Sequence, residues 1–239
     1  MNFSLIKNSN RIKYLLLLSL VELLLINNAI LAENLTLSDI TAQLNSDKWF
    51  ERENAALSLV KSHNIEKKQA VDLLLSTLID EINSPLSIEK LAGSDGNITE
   101  VLKNVYCSAI CSLGNDIVPY LEEKYYDTKG EYRDWLVVII GFQQSEKVHS
   151  ELRTLVIDNK NGWLRLKAIK ALKMFHDSID VDIFKTALAD SFVVTRDSHV
   201  SNEMRYVYPI RAVAAGALKQ FGYEVKRQGY EFIIVKKTE

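Results

Sequence analysis

Glycine and proline are scarce: the 239 residues hold 9 and 3 of them. Average usage is about 7% and 5%, so collagen-like and glycine-rich linker architectures are excluded. Both residues interrupt helices, so their rarity favours a mostly helical chain. An excess of one charge is also missing. Lys and Arg total 29 and Asp and Glu 31, for a formal net charge of −2. Phosphate recognition wants a marked basic excess, so a polybasic nucleic-acid coat is excluded. Sequence signatures of chemistry are missing too. There is no G-x-S-x-G, H-E-x-x-H, G-x-G-x-x-G or G-x-x-x-x-G-K-[ST], and no cofactor or metal is expected. What is present is apolar side chain, 47% of residues, enough for a core and too much for bulk disorder.

The N-terminus reads as a secretory signal peptide over residues 1–32. Lys7, Arg11 and Lys13 precede an apolar run from Tyr14 to Ile26, and the small residue Ala32 suits cleavage before Glu33. That run carries Glu22 and falls short of the roughly 20 residues a membrane helix needs. A retained anchor is the alternative. Cleavage removes three positive charges and one negative, leaving −4 on residues 33–239. The expectation is an exported chain, periplasmic or secreted, with no stable membrane span after cleavage.

The body repeats one pattern, a residue followed by small or apolar side chains at +3 and +4 and an aliphatic at +7. It reads Arg52, Ala55, Ala56, Leu59, and again Arg165, Ala168, Ile169, Leu172, and Arg211, Ala214, Ala215, Leu218. Looser copies are Arg133, Leu136, Val137, Ile140 and Tyr106, Ala109, Ile110, Leu113. These offsets line one face of a helix. Alanine lets a neighbouring helix approach, and the arginine can bond backbone carbonyls or an acid of the next unit. A shorter apolar segment follows most copies: Val71–Ile79, Ile117–Tyr125, Val148–Ile157 and Val181–Leu188. One helix pair cannot bury its own face, so such units must stack.

These R-x-x-A-[AI]-x-x-L stripes, with a turn and a partner helix, resemble HEAT repeats of the short, phycobilisome-lyase type. The resemblance spans residues 37–222. It implies an all-α fold, a right-handed α-α superhelix, and a surface that binds another protein. The helical domain is placed at 33–222. Spacings of 54, 27, 32 and 46 residues between copies depart from a regular repeat. Two insertions account for the departures, 83–98 and the polar 190–205. Residues 223–239 change to alternating apolar positions, Tyr230, Phe232 and Ile234, and read as a β-hairpin turning near Gln228-Gly229 that caps the last helix.

The functional reading is an exported, non-enzymatic scaffold or protein-interaction module. Its contact candidates are Arg196, Asp197, His199, Glu203 and Arg205 in the second insertion, because long polar loops on a rigid frame carry function. The alternative is an enzyme subunit or small-molecule-binding protein using the same segment. Trp49, Trp135 and Trp163 fall near stripe arginines, as packing residues or as an aromatic strip. Asp177, Asp180 and Asp182 suit a helix start, since they lack the grammar of a calcium loop. His149 stands two positions before Glu151, so the two do not share a helical face. Cys107 and Cys111 lie four apart on one face. They read as small core residues, with a local disulfide or an intermolecular thiol as alternatives. A tetrahedral metal site would need further ligands, which the neighbouring sequence does not supply.

Overall fold

The structure is a computed structural model that describes residues 35–83, 98–197 and 204–237. The signal segment expected at 1–32 falls outside the described residues, as do most of the 83–98 insertion, His199 and Glu203. Among the described residues, no helix is long and apolar enough to cross a membrane.

The fold is all-α with a small C-terminal β-hairpin, as the sequence pattern predicts. The helices are α1 (Leu37–Leu44), α2 (Trp49–Lys61), α3 (Lys67–Asn83), α4 (Ile98–Ser112) and α5 (Val118–Tyr126). They continue with α6 (Gly130–Phe142), α7 (His149–Asp158), α8 (Gly162–Phe175), α9 (Val181–Ala187) and α10 (Pro209–Gln220). Local chemistry sets several ends. Thr36 and Asp39 form a capping box at the start of α1. Asn161 accepts from the amides of Trp163 and Leu164 at the start of α8, and His176 closes that helix with a left-handed φ of 52°. Pro119 is tolerated in the first turn of α5.

The even-numbered helices carry the five stripes, and the residues at +3, +4 and +7 are buried in every copy. These helices lie side by side in one layer, α2 on α4, α4 on α6, α6 on α8 and α8 on α10. The odd-numbered helices form the second layer. The pairs α1·α2, α3·α4, α7·α8 and α9·α10 make the extensive contacts, so a stripe helix packs most closely on the helix before it. The sequence reading paired it with the helix after it, and of those pairs only α2·α3 and α6·α7 touch appreciably. Burying a Leu or Ile at +7 contributes about 1.5–3 kcal/mol.

A short 3-10 turn leads into each of α5, α7 and α9, over Asn115–Ile117, Glu146–Val148 and Ser178–Asp180. Their starts are 31 and 32 residues apart, a more regular spacing than the stripes show. Helix α6 is the centre of the array. Every residue from Trp135 to Gly141 is buried, because α3, α4, α5, α7 and α8 all touch it. Gly141 permits the approach of α7: a Cβ there would sit 2.5 Å from a methyl of Leu152.

The described residues of the 190–205 insertion include strands, where the sequence reading expected a polar loop. They are β1 (Val194–Asp197) and β2 (Met204–Val207), antiparallel, with Val194 opposite Val207 and Arg196 opposite Arg205. The C-terminal hairpin pairs β3 (Tyr223–Gln228) with β4 (Glu231–Lys237), and its turn is Gly229-Tyr230, one residue later than expected. A bulge beside Val225 puts Lys236 opposite Glu224 and Ile234 opposite Val225. Val225, Phe232 and Ile234 pack onto the core end at α10, covering the apolar face of the last helix.

Candidate interaction surface at the C-terminal end

Stripe arginines tie the layers together. Arg52 is fully buried; it donates to the carbonyl of Ser46 at 2.6 Å and lies 3.7 Å from the carboxylate of Glu81 on α3. Arg133 donates to both Glu151 oxygens at 3.1 Å and stacks on the Tyr125 ring. Arg165 forks onto Asp190 at 2.8 and 3.1 Å and donates to the Asn159 carbonyl. In α4 the arginine is replaced by Tyr106, whose phenol is pushed up by burial and by the nearby Glu81 charge. Arg52, Arg133 and Arg165 each pair with an acid of another segment, and among the stripe arginines Arg52 and Arg165 also bond a carbonyl.

The last of them builds a surface. Arg211 donates to the carbonyl of Asp190 at 2.6 Å and to that of Tyr230 at 3.2 Å, and its guanidinium lies 4.2 Å from the Tyr208 ring centre. Asp190 begins the second insertion and Tyr230 sits in the turn of the C-terminal hairpin, so one side chain joins both to α10. Tyr230 meets Tyr206 edge-on at 6.4 Å and Tyr208 at 5.8 Å. Tyr206 and Tyr230 are 44% and 51% exposed, and Val193, Ile233 and Val235 are also open to solvent. Beside them an open cleft of about 460 Å³ separates β4 from α9 and is lined by Lys185, Leu188, Arg211, Glu231, Phe232 and Ile234. Exposed aromatics next to cations and apolar clefts are the side-chain chemistry of binding surfaces.

Arg196, Asp197 and Arg205 lie on the β1–β2 ladder, whereas His199 and Glu203 fall outside the described residues. The structure therefore brings three of the five candidates together along one hairpin. The aromatic group around Arg211 escaped the sequence reading, which took Tyr230 for a strand position. In the sequence, Tyr206 and Tyr208 stand just before the last stripe.

The remaining candidates fall into place as packing. Trp135 is fully buried, and Trp163 is half-buried edge-on to Phe192 at 5.3 Å. His149 lies flat on Phe175 at 4.5 Å, with Nε2 2.8 Å from Asp180 and Nδ1 3.5 Å from Glu146. Asp180 is fully buried, and burial holds its carboxyl above the usual carboxylate range. This pair braces α7 against the 3-10 turn before α9. Asp177 caps that turn, and Asp182 sits in the first turn of α9. Among the described residues, no three His, Cys, Asp or Glu side chains gather around one point. Cys107 is buried and Cys111 half-buried, and both are free thiols. Comparison with known protein families and with curated proteins returns no match.

Proposed function

We propose that the chain is an exported HEAT-like α-solenoid that works as a non-enzymatic protein-interaction module, with its C-terminal end as the docking face. The observation that carries this is the exposed Tyr206–Tyr230 pair, braced by Arg211 between two hairpins. The even spacing of the 3-10 turns and the side-by-side stacking of the stripe helices support the solenoid. Tyrosines of this kind give large contact area at low entropic cost. The cleft beside β4, with Lys185 and Arg211 on its wall, favours a small acidic molecule as the second reading.

Crosslinking the chain in its own compartment, followed by mass spectrometry, tests both. The expected result is one recurrent protein attached through residues 190–237, lost in Tyr206→Ala/Tyr230→Ala with the helical spectrum intact. Crosslinks scattered over the array, or none at all, would overturn the docking reading.

A further inference from the structure

The C-terminal hairpin leaves one edge open. Among the described residues β4 pairs with β3 alone, so the N–H and C=O groups on its other side have no strand beside them. The cleft between β4 and α9 lies along that edge. Side chains alternate across a strand, so a cleft over one face of the hairpin would be lined by every second residue and by both strands. This one is lined by four consecutive residues, Glu231 to Ile234, and by no residue of β3. Lys185 and Leu188 form the opposite wall, and Arg211 of α10 also borders it. We propose that the cleft is a strand-addition site, in which an extended, acidic segment of a partner protein pairs with the open edge of β4. This rests on the reading of the C-terminal end as the docking face, where Tyr230 stands at the head of the same edge.

Charge selects the occupant. Residues 204–237 hold seven Lys or Arg against two Asp or Glu, net +5 in a chain whose total is −2. Little of this is neutralised within the hairpin, since Lys226 and Lys236 share one acid, Glu224, at 3.2 and 3.8 Å. Lys185 lies 2.9 Å from Asp182, an exposed pair that solvent screens. A second copy of the chain is the other natural occupant of an open edge, but two basic edges brought together repel, and lysines on an edge strand guard against such pairing. In strand addition the backbone supplies affinity and alternate side chains supply specificity. Phe232, Ile234 and Leu188 are apolar and Lys185 and Arg211 cationic, so the matching strand alternates aliphatic and carboxylate side chains.

The probe is a fluorescent ten-residue peptide alternating Val and Glu, titrated into the full chain and read by anisotropy. Binding is expected that falls as salt rises, is about tenfold weaker in Lys185→Glu, and is absent when Lys replaces Glu in the peptide. Two N-methylated peptides give a backbone readout that needs no variant. A strand offers its neighbour only alternate N–H groups, so methylating one alternate set should abolish binding and methylating the other should leave it. Hydrogen exchange in residues 231–237 should slow when the parent peptide is bound.

No binding of the parent peptide, the same result from both N-methylated forms, or equal binding of the lysine peptide would overturn strand addition. So would N-acetylglutamate competing at the peptide's own concentration, a dimer joined through β4, or attachment to phosphatidylglycerol vesicles in preference to the peptide. Crosslinks that still gather at residues 190–237 while the peptide fails would sink strand addition and leave the docking face standing. Scattered crosslinks would sink the docking face itself.

Discussion

At the scale of single residues, Asp190 has an unusual number of ties. Its carboxylate takes the Arg165 fork and the Phe192 amide, and its carbonyl takes Arg211. Arg165 and Asp190 are both about nine-tenths buried, so each has little water to fall back on. Removing one partner of such a pair leaves a charge uncompensated, at about 3–5 kcal/mol when burial is complete. Asp190→Ala is expected to cost about 2–4 kcal/mol, since a little solvent reaches the pair. Urea denaturation would show it as a lower midpoint, and a loss below 1 kcal/mol would mean that water replaces the carboxylate. Asp190→Asn keeps the bond to Phe192 and should fall between. None of this was legible beforehand. The Arg165 stripe announces a need for an acid but not which one, and Asp190 is 25 positions away. His149 and Asp180, 31 apart, are the same case.

At the scale of elements the sequence was more informative. A 3.6-residue period is a property of neighbours, so the stripe helices could be placed from Arg52, Arg165 and Arg211 onward, and even Tyr106 held its position. The C-terminal hairpin showed itself through alternation about Gly229. What remained hidden were elements too short to carry a period: the 3-10 turns, and the four-residue strands β1 and β2, whose halves stand apart in the chain. The contact between α6 and α7 is the place to test how tightly the elements fit. Gly141 faces Leu152, itself fully buried. Gly141→Ala gains about 1 kcal/mol of helix propensity and costs about 1–3 kcal/mol of overpacking. A net loss near 1 kcal/mol is expected by thermal or urea unfolding, relieved by adding Leu152→Val, which trims the offending methyl. A higher midpoint for the single variant would show that Leu152 swings clear.

At the scale of the whole molecule, the helix pairs in extensive contact are near neighbours in the chain, as in a row of stacked units. In such a row each unit leans only on its neighbours, and stability is a sum taken along one dimension. Here α6 is also wrapped by helices on both layers, so the two halves cannot part without stripping it. Backbone amides in residues 135–141 should exchange with solvent only through global unfolding, while those of the β1–β2 ladder exchange by local opening. Hydrogen exchange followed by mass spectrometry would report two classes separated by several kcal/mol. A graded profile falling from one end to the other would instead mark a row of independent units.

That enclosure has a mechanical side. Pulled from its two termini, an open stack gives way link by link, like a spring whose coils relax in turn. A chain clasped around its own middle helix should resist and then yield in one step. Its ends remain free to adapt while its centre keeps them at a fixed separation.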